Sequence, residues 1–149
     1  MTSTNHMEQA LLAAKAAANR DEVPVGAVIV LKGAVLAVAG NRTRELLDPS
    51  AHAEILAIRA ACQIIGADRL VGADLYVTLE PCPACAAIIS AARIARVYYG
   101  AADPKSGGIE QGPRVFSHSQ CHHKPEVYGG IGEIEAAALL QDFFSARRG

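Results

Sequence analysis

Two short segments of the sequence carry side chains that commonly bind transition metals. His52 belongs to the triplet H-A-E, and Cys82 and Cys85 belong to the later segment P-C-P-A-C. Because helix positions three apart lie on one face, both sulfurs could reach one ion, and a helix N-terminus favours the thiolate form that zinc requires. Two thiolates and one imidazole leave one position of a tetrahedral zinc ion open to water, which is typical of catalytic sites. The spacing therefore predicts one catalytic Zn²⁺ per chain, bound by His52, Cys82 and Cys85.

An acidic residue, Glu54, follows His52 by two positions. Positions i and i+2 of a helix do not share a face, so Glu54 is poorly placed to bind the same ion. A carboxylate beside an activated water can instead accept its proton and pass it to a ring nitrogen and a leaving amine. This combination of groups is suited to hydrolytic deamination, with Glu54 as the catalytic acid and base.

Two other interpretations of the cysteines remain open at this stage. A C-x-x-C pair after a strand is also the pattern of thioredoxin-like redox sites, although that interpretation gives His52 no task. A structural zinc site would need a fourth protein ligand, and Cys121, His122 or His123 could supply it in a non-enzymatic binding module. Such a closed site would leave Glu54 without a role.

The composition indicates a globular chain. Its 149 residues fit a single domain, residues 1–149, at roughly 100–200 residues per domain. The chain is 51% hydrophobic and 19% charged, which excludes extensive disorder and indicates a large aliphatic interior. No apolar run approaches the ~18 uninterrupted residues of a membrane span, so we expect no membrane association.

Charge and targeting signals narrow the cellular context. The formal net charge of −1 is not that of a strongly basic nucleic-acid-binding domain. The first residues lack a basic segment followed by an apolar core and a cleavage site, so a secretory signal is not indicated and we expect a cytoplasmic protein. In that compartment a C-x-x-C pair is more typical of metal or redox chemistry than of a structural disulfide.

Helices and strands alternate along most of the chain. The sequence predicts an N-terminal helix over residues 5–19, a buried hairpin of two apolar strands that turns at Lys32 and Gly33, and a helix over residues 51–65 that ends at Gly66. A strand at 73–79, a helix from Pro81 to about residue 93, a strand at 96–100, a loop-rich segment at 101–132 and a helix at 133–148 follow. This order indicates an α/β sandwich with parallel strands joined by helices, and it places the metal-binding candidates at helix starts.

The motifs resemble those of a known enzyme family. H-A-E followed by P-C-x-x-C is the signature of zinc-dependent nucleoside deaminases. Around it, DEVPVGAV, GNRTRE, DPSAHAEI, LYVTLEPCPACA, ARIARVYYGA and DPKSGG occur in order, as in the bacterial tRNA-specific adenosine deaminases of the cytidine and deoxycytidylate deaminase superfamily. The resemblance covers most of the chain. It implies a three-layer α/β/α cytidine deaminase-like fold with a central five-stranded mixed sheet.

The same resemblance implies a function and a set of site residues. Enzymes of this family form inosine at the wobble position in the anticodon loop of a tRNA, and they act as homodimers with one Zn²⁺ per subunit. His52, Cys82 and Cys85 match the zinc ligands and Glu54 matches the proton shuttle. The positions that match substrate contacts are Asn41, which would hold the flipped base, Asp103 and Lys105, which would contact the anticodon loop, and Phe144 and Arg147 on the closing C-terminal helix.

Two segments depart from the family pattern. Pro83 and Ala84 lie between the cysteines, where a methionine commonly precedes the second cysteine, and P-C-P is more typical of free-base deaminases such as guanine deaminase. The segment from Gly107 to Gly130 also differs from the commonest bacterial form. The alternative function is therefore deamination of a free base or nucleoside of guanine or cytosine type. Small faces on the helix over residues 86–92 independently suit close packing in a two-fold homodimer.

Overall fold

The computed structural model describes residues 3–148, and side chains are described from residue 5 to residue 147. The described chain forms helices α1 (Ser3–Asn19), α2 (Ala53–Ile65), α3 (Pro83–Ala91) and α4 (Glu133–Arg148), strands β1 (Gly26–Leu31), β2 (Ala34–Gly40), β3 (Asp74–Leu79), β4 (Arg96–Ala101) and β5 (Glu126–Tyr128), and a short 3₁₀ helix at Val115–Ser117.

The five strands form one mixed sheet in the order β2-β1-β3-β4-β5. Strand β1 is antiparallel to both β2 and β3, whereas β4 is parallel to both β3 and β5. The predicted hairpin is confirmed: Lys32 (φ 51°) and Gly33 (φ 78°) both take the left-handed conformation that a two-residue hairpin turn requires. The expectation of parallel strands holds for β3, β4 and β5, and β1 and β2 form the predicted antiparallel hairpin.

Two helical layers cover the sheet. Side chains of β1 alternate between them, because successive strand residues point to opposite faces. Ala27 and Ile29 belong to the core cluster shared with α2 and α3, and Val28 and Val30 belong to the cluster shared with α1 and α4. The arrangement is the expected three-layer α/β/α sandwich around a five-stranded mixed sheet.

Both helices that carry metal-binding candidates begin later than predicted. Helix α2 begins at Ala53 rather than at residue 51, and α3 begins at Pro83 rather than at residue 81. Proline is favoured at the first helical position because that N–H has no partner within the helix. As a result His52 and Cys82 are the N-cap residues of α2 and α3, with extended backbones.

Two further expectations are corrected by tertiary contacts. The segment expected to be all loop and turns contains β5, a three-residue strand that pairs with the edge of β4. His6, for which we expect an exposed position, is buried on α1 with its ring 5.0 Å from that of Tyr76. On α4, adjacent helix positions point in different directions, so one phenylalanine is expected in the core and the other outside it; Phe143 is buried and Phe144 is 44% exposed.

Within residues 3–148, none of the helices is both long enough and apolar enough to cross a bilayer.

Candidate active site

Three metal donors meet where the N-termini of α2 and α3 converge. The Nδ1 atom of His52 lies 3.2 Å from the Cys85 Sγ and 3.7 Å from the Cys82 Sγ, and all three donor atoms lie within 4.8 Å of one another. Ligands of one tetrahedral zinc ion, at Zn–S of about 2.3 Å and Zn–N of about 2.0 Å, stand roughly 3.5–3.8 Å apart. The donor atoms therefore have the chemistry and the spacing of a three-ligand zinc site.

The local backbone directs these side chains towards one another. Neither His52 nor Cys82 uses its side chain to cap its helix, so both are available as ligands. Cys82 begins α3, its carbonyl accepts the N–H of Ala86 at 2.9 Å, and Cys85 follows one turn later in a buried position. The positive end of the helix dipole favours thiolates at these positions.

Hydrogen bonds among the three donors change their pKa values. Hydrogen bonds from Cys85 and from His52 lower the pKa of Cys82 to about 4. The interaction with Cys82, together with burial, raises the pKa of Cys85, and the hydrogen bond to Cys82 raises the pKa of His52. A divalent cation among the three would favour the deprotonated form of each, because metals bind thiolate and neutral imidazole.

Glu54 is the acid adjoining this cluster. It lies in the first turn of α2 and is only 4% exposed to solvent. This burial raises the pKa of its carboxyl. Its carboxyl also interacts with the Cys85 thiol. A buried carboxyl with a raised pKa can both accept and donate a proton near neutral pH, as a general acid and base must.

Asn41 joins the end of β2 to this site. Its Oδ1 atom accepts the N–H of Ala53, the residue after His52, at 2.7 Å. Its backbone is fixed by an N–H···O bond of 3.1 Å to Val25 and by the guanidinium of Arg20, which donates to the Asn41 carbonyl at 3.2 Å. Asn41 is therefore a buried residue held by three hydrogen bonds beside the candidate ligand His52.

Asp103 and Lys105 lie in the loop of residues 102–111, after β4. The Oδ1 atom of Asp103 accepts the N–H of Lys105 at 3.2 Å and that of Ser106 at 3.0 Å, which closes a local turn. The Lys105 side chain is exposed. The loop therefore presents a basic side chain on a structured turn.

The other two predicted contacts lie on α4. Arg147 forms an ion pair with Asp21, and its guanidinium stacks 3.5 Å from the ring centroid of Phe143, while Phe144 remains exposed. Helix α4 packs on β4, α1 and β3, in the layer opposite α2 and α3. The structure therefore brings His52, Cys82, Cys85, Glu54 and Asn41 together and places Phe144 and Arg147 on another element.

Two buried carboxylates near the site were missed by the sequence analysis. Glu22 accepts the backbone N–H groups of Arg44 and Glu45 at 3.2 and 2.8 Å, and Glu80 accepts four backbone N–H groups of the 102–111 loop. Both lie within motifs quoted above, DEVPVGAV and LYVTLEPCPACA. Glu80 stands between Leu79 and Pro81, and an acid among apolar residues is rarely buried without a partner; Glu22 follows Asp21 and carries no such signal.

The closed-site alternative has little support in the geometry. The Sγ of Cys121 lies 3.3 Å from the Ser90 Oγ and 3.1 Å from the His123 carbonyl, and the His123 Nε2 lies 2.6 Å from the Ile94 carbonyl. Over the described residues, the group of three or more potential donors consists of His52, Cys82 and Cys85, without Cys121, His122 or His123. The redox alternative does not account for an imidazole whose Nδ1 contacts both sulfurs.

Comparisons with known proteins agree with this site. Residues 1–101 match the family model of the cytidine and deoxycytidylate deaminase zinc-binding region. A tRNA-specific adenosine deaminase of Agrobacterium fabrum is 60% identical over 145 residues, 97% of this chain and 95% of that protein. A structure from a study of A-to-I editing by tRNA:A34 deaminases superposes with a TM-score of 0.91 at 61% identity, over 92% of this chain and 99% of that one.

A guanine deaminase of Bacillus subtilis is also similar, but over a shorter range. It is 40% identical over 68% of this chain and 66% of that chain, with a TM-score of 0.67. The longer matches share the whole sandwich, including the zinc-binding segment. With its three metal donors and its buried acid, the chain belongs to the cytidine and deoxycytidylate deaminase family, among the tRNA-specific adenosine deaminases.

Proposed function

We propose that the chain is a zinc-dependent hydrolase that converts adenosine to inosine at the wobble position of a tRNA. The observation that carries this proposal is the three-donor cluster beside the buried carboxyl of Glu54. It occurs in a chain that is 60% identical, over nearly its whole length, to a tRNA-specific adenosine deaminase. Hydrolysis of an exocyclic amine needs an activated water and a proton carrier, and this site can supply both.

His52, Cys82 and Cys85 are the proposed zinc ligands. When bound there, zinc supplies Lewis-acid activation of a water molecule. Glu54 would carry the first proton of the attacking water to the ring nitrogen, and the second, from the hydroxyl then attached to the ring carbon, to the departing amine. In the balanced reaction the water oxygen bonds to the ring carbon, the carbon–nitrogen bond to the exocyclic amine breaks, and ammonia leaves. The burial of Glu54 supports this role, because its carboxyl keeps protons out of bulk solvent between transfers.

The substrate contacts are proposed from position and chemistry. Asn41 holds the extruded base, because its amide lies beside the first turn of α2 next to His52. Asp103 and the exposed Lys105 contact the anticodon loop, where a lysine can pair with phosphate. The exposed ring of Phe144 stacks on a base, and Arg147 keeps that end of α4 in place through its ion pair with Asp21.

A free-base deaminase is the second candidate. The partial likeness to a guanine deaminase and the presence of Pro83 at the start of α3 favour it. The two candidate functions use the same metal donors and the same acid. They differ in which substrate the surrounding loops allow into the site. The tRNA candidate has the stronger support, because the match to tRNA-specific deaminases includes the loop and C-terminal helix that would contact RNA.

We also propose that the chain acts as one domain, in the cytoplasm, as a homodimer. The four cysteines are free thiols, as is usual in that compartment. On the outer side of α2 and α3, Ile64 and Ile88 are exposed. A groove of about 590 Å³ lined by Ala87, Ala91 and Arg93, among others, runs beside α3. A second copy of the chain packed on this layer would cover these apolar side chains.

The function is tested by offering the zinc-loaded protein several substrates in parallel. Inosine formation is measured on a synthetic adenosine-bearing anticodon stem-loop, and ammonia release is measured on free adenine, guanine, cytosine and their nucleosides. Product on the stem-loop alone supports tRNA editing. Ammonia from a free base, with an unreacted stem-loop, would instead assign the chain to the free-base deaminases.

A further inference from the structure

A buried carboxylate organises the loop that follows β4. Glu80 lies between the end of β3 and Cys82 and is only 2% exposed to solvent. Its Oε1 accepts the N–H of Asp103 at 3.0 Å. Its Oε2 accepts the N–H groups of Ile109, Glu110 and Gln111 at 3.2, 2.8 and 3.0 Å. One side chain thus accepts four backbone N–H groups from both ends of the 102–111 loop.

The loop packs directly on the turn that carries the first cysteine. The N–H of Gly108 donates to the Pro81 carbonyl at 2.8 Å, and a Cβ placed on Gly108 would lie 2.5 Å from the Pro83 nitrogen. A Cβ on Gly107 would lie 2.7 Å from the Cδ of Glu80. Only glycine permits these approaches, so the loop backbone is in contact with both the carboxylate and the P-C-P turn.

A side-chain hydrogen bond also connects the loop to strand β4. The hydroxyl of Tyr99, on β4, donates to the carboxylate of Glu110. The backbone N–H of Glu110 is one of the groups held by Glu80. The same loop residue is therefore fixed through its backbone to the end of β3 and through its side chain to β4.

These contacts give an irregular segment a single conformation. Three consecutive N–H groups converging on one oxygen form the kind of backbone nest that otherwise binds anions. Without Glu80, those N–H groups would have to find other partners, because backbone donors cannot remain unpaired at low cost. Holding a loop in its bound shape reduces the ordering cost that a substrate otherwise imposes on binding.

We propose that Glu80 is a positioning residue, whose carboxylate holds the 102–111 loop in the conformation that receives RNA and fixes it relative to Cys82. This inference rests on the proposed function, because it assumes that Asp103 and Lys105 contact the substrate. Glu80 touches neither the reacting atoms nor the substrate in this role. It acts through the loop.

The test replaces Glu80 by glutamine in the zinc-loaded protein. Glu80→Gln keeps the size of the side chain but exchanges one acceptor oxygen for an NH₂ donor, which cannot accept the N–H groups on its side. We expect amide hydrogen exchange to accelerate at least tenfold at Asp103, Ile109, Glu110 or Gln111, on whichever side the NH₂ group faces. We also expect KM for the stem-loop to rise at least tenfold, with a smaller change in kcat and an unchanged zinc content.

Glu22→Gln is the matched control. Glu22 is equally buried and also accepts only backbone N–H groups, those of Arg44 and Glu45. Its substitution should accelerate exchange at Arg44 or Glu45 and leave the 102–111 loop at the wild-type rate. A general loss of stability would accelerate both loops in both variants.

Gly107→Ala provides a second route if Glu80→Gln does not fold. Its Cβ would meet the Asp103 carbonyl at 2.6 Å and the Glu80 Cδ at 2.7 Å, which would displace the loop from Glu80 without altering any charged group, and we expect the same exchange pattern and the same rise in KM. Unchanged exchange at all four loop amides, or a loss confined to kcat with KM constant, would overturn the proposal. If the wild-type protein does not act on the stem-loop, the proposed function fails, and the exchange rates still decide whether Glu80 holds the loop.

Discussion

The side chain of Asn41 accepts the N–H of Ala53 at 2.7 Å, although the two residues belong to different elements. This bond joins the residue after β2 to the first residue of α2, where the N–H groups have no partner within the helix. His52 lies directly before Ala53. The position of the imidazole is therefore fixed by a strand and a helix together.

Asn41→Ala should cost about 1–3 kcal/mol of unfolding free energy, because it leaves the buried N–H of Ala53 unpaired. Asn41→Asp keeps an acceptor at a helix N-terminus and should remain within about 1 kcal/mol of the wild type. Urea unfolding followed by circular dichroism measures both. If Asn41 also holds the base through its amide NH₂, Asn41→Asp should lose turnover despite its stability. Equal stability of the two variants would contradict the capping role.

Glu54→Ala should keep its zinc and lose turnover by roughly 100-fold to 10,000-fold, the usual contribution of a general acid and base. Glu54→Gln, which preserves the size of the side chain, should be similarly impaired because an amide does not exchange protons in this way. Metal analysis and inosine formation are measured on the same preparations. An active Glu54→Ala protein would eliminate the proposed mechanism.

Cys85→Ala should reduce bound zinc from one ion per chain to nearly none, because two donors are insufficient to hold it. Cys62 lies on α2 outside the donor group, and Cys62→Ala is the control that should bind zinc normally. Removing the metal from the wild-type protein with a chelator should lower its melting temperature. Full zinc occupancy in Cys85→Ala would show that the ion is bound elsewhere.

Lys105→Ala should raise KM for the stem-loop about tenfold while leaving kcat nearly unchanged. It should also reduce the slope of log affinity against log salt by about 0.7, the value for one phosphate contact on a single strand. Lys15→Ala, on the exposed face of α1, is the control and should change neither. An unchanged salt slope in Lys105→Ala would argue against a phosphate contact.

Ile88→Glu should convert the proposed dimer into a monomer, because it places a charge on the outer face of α3, where Ile88 is 40% exposed. Ile134→Glu is a matched control on α4, in the opposite layer, where Ile134 is 86% exposed. Sedimentation velocity at micromolar concentration distinguishes the two states. A wild-type monomer, or an Ile88→Glu dimer, would contradict this interface.

The sequence by itself determined the chemistry of the site. His52, Cys82 and Cys85 are candidate metal ligands by residue type and short spacing, and the structure brings their donor atoms together. The hairpin at Lys32 and Gly33 was equally predictable from the sequence, because the conformation of a two-residue turn depends on those two residues. Helix starts were misplaced by two residues, since the first helical residue depends on local capping and on Pro83.

Only the tertiary structure decided the contacts that join distant segments. The four N–H groups held by Glu80 come from residues 23 to 31 positions away, and no local pattern encodes such pairs. Strand β5 exists because the edge of β4 offers hydrogen-bond partners to a run of three residues that is too short to be recognised as a strand on its own. Burial of His6 and the ion pair of Arg147 with Asp21 likewise depend on how helices pack. The residue type alone decides whether a side chain can bind a metal, whereas the position of a loop depends on contacts with segments that are distant in the sequence.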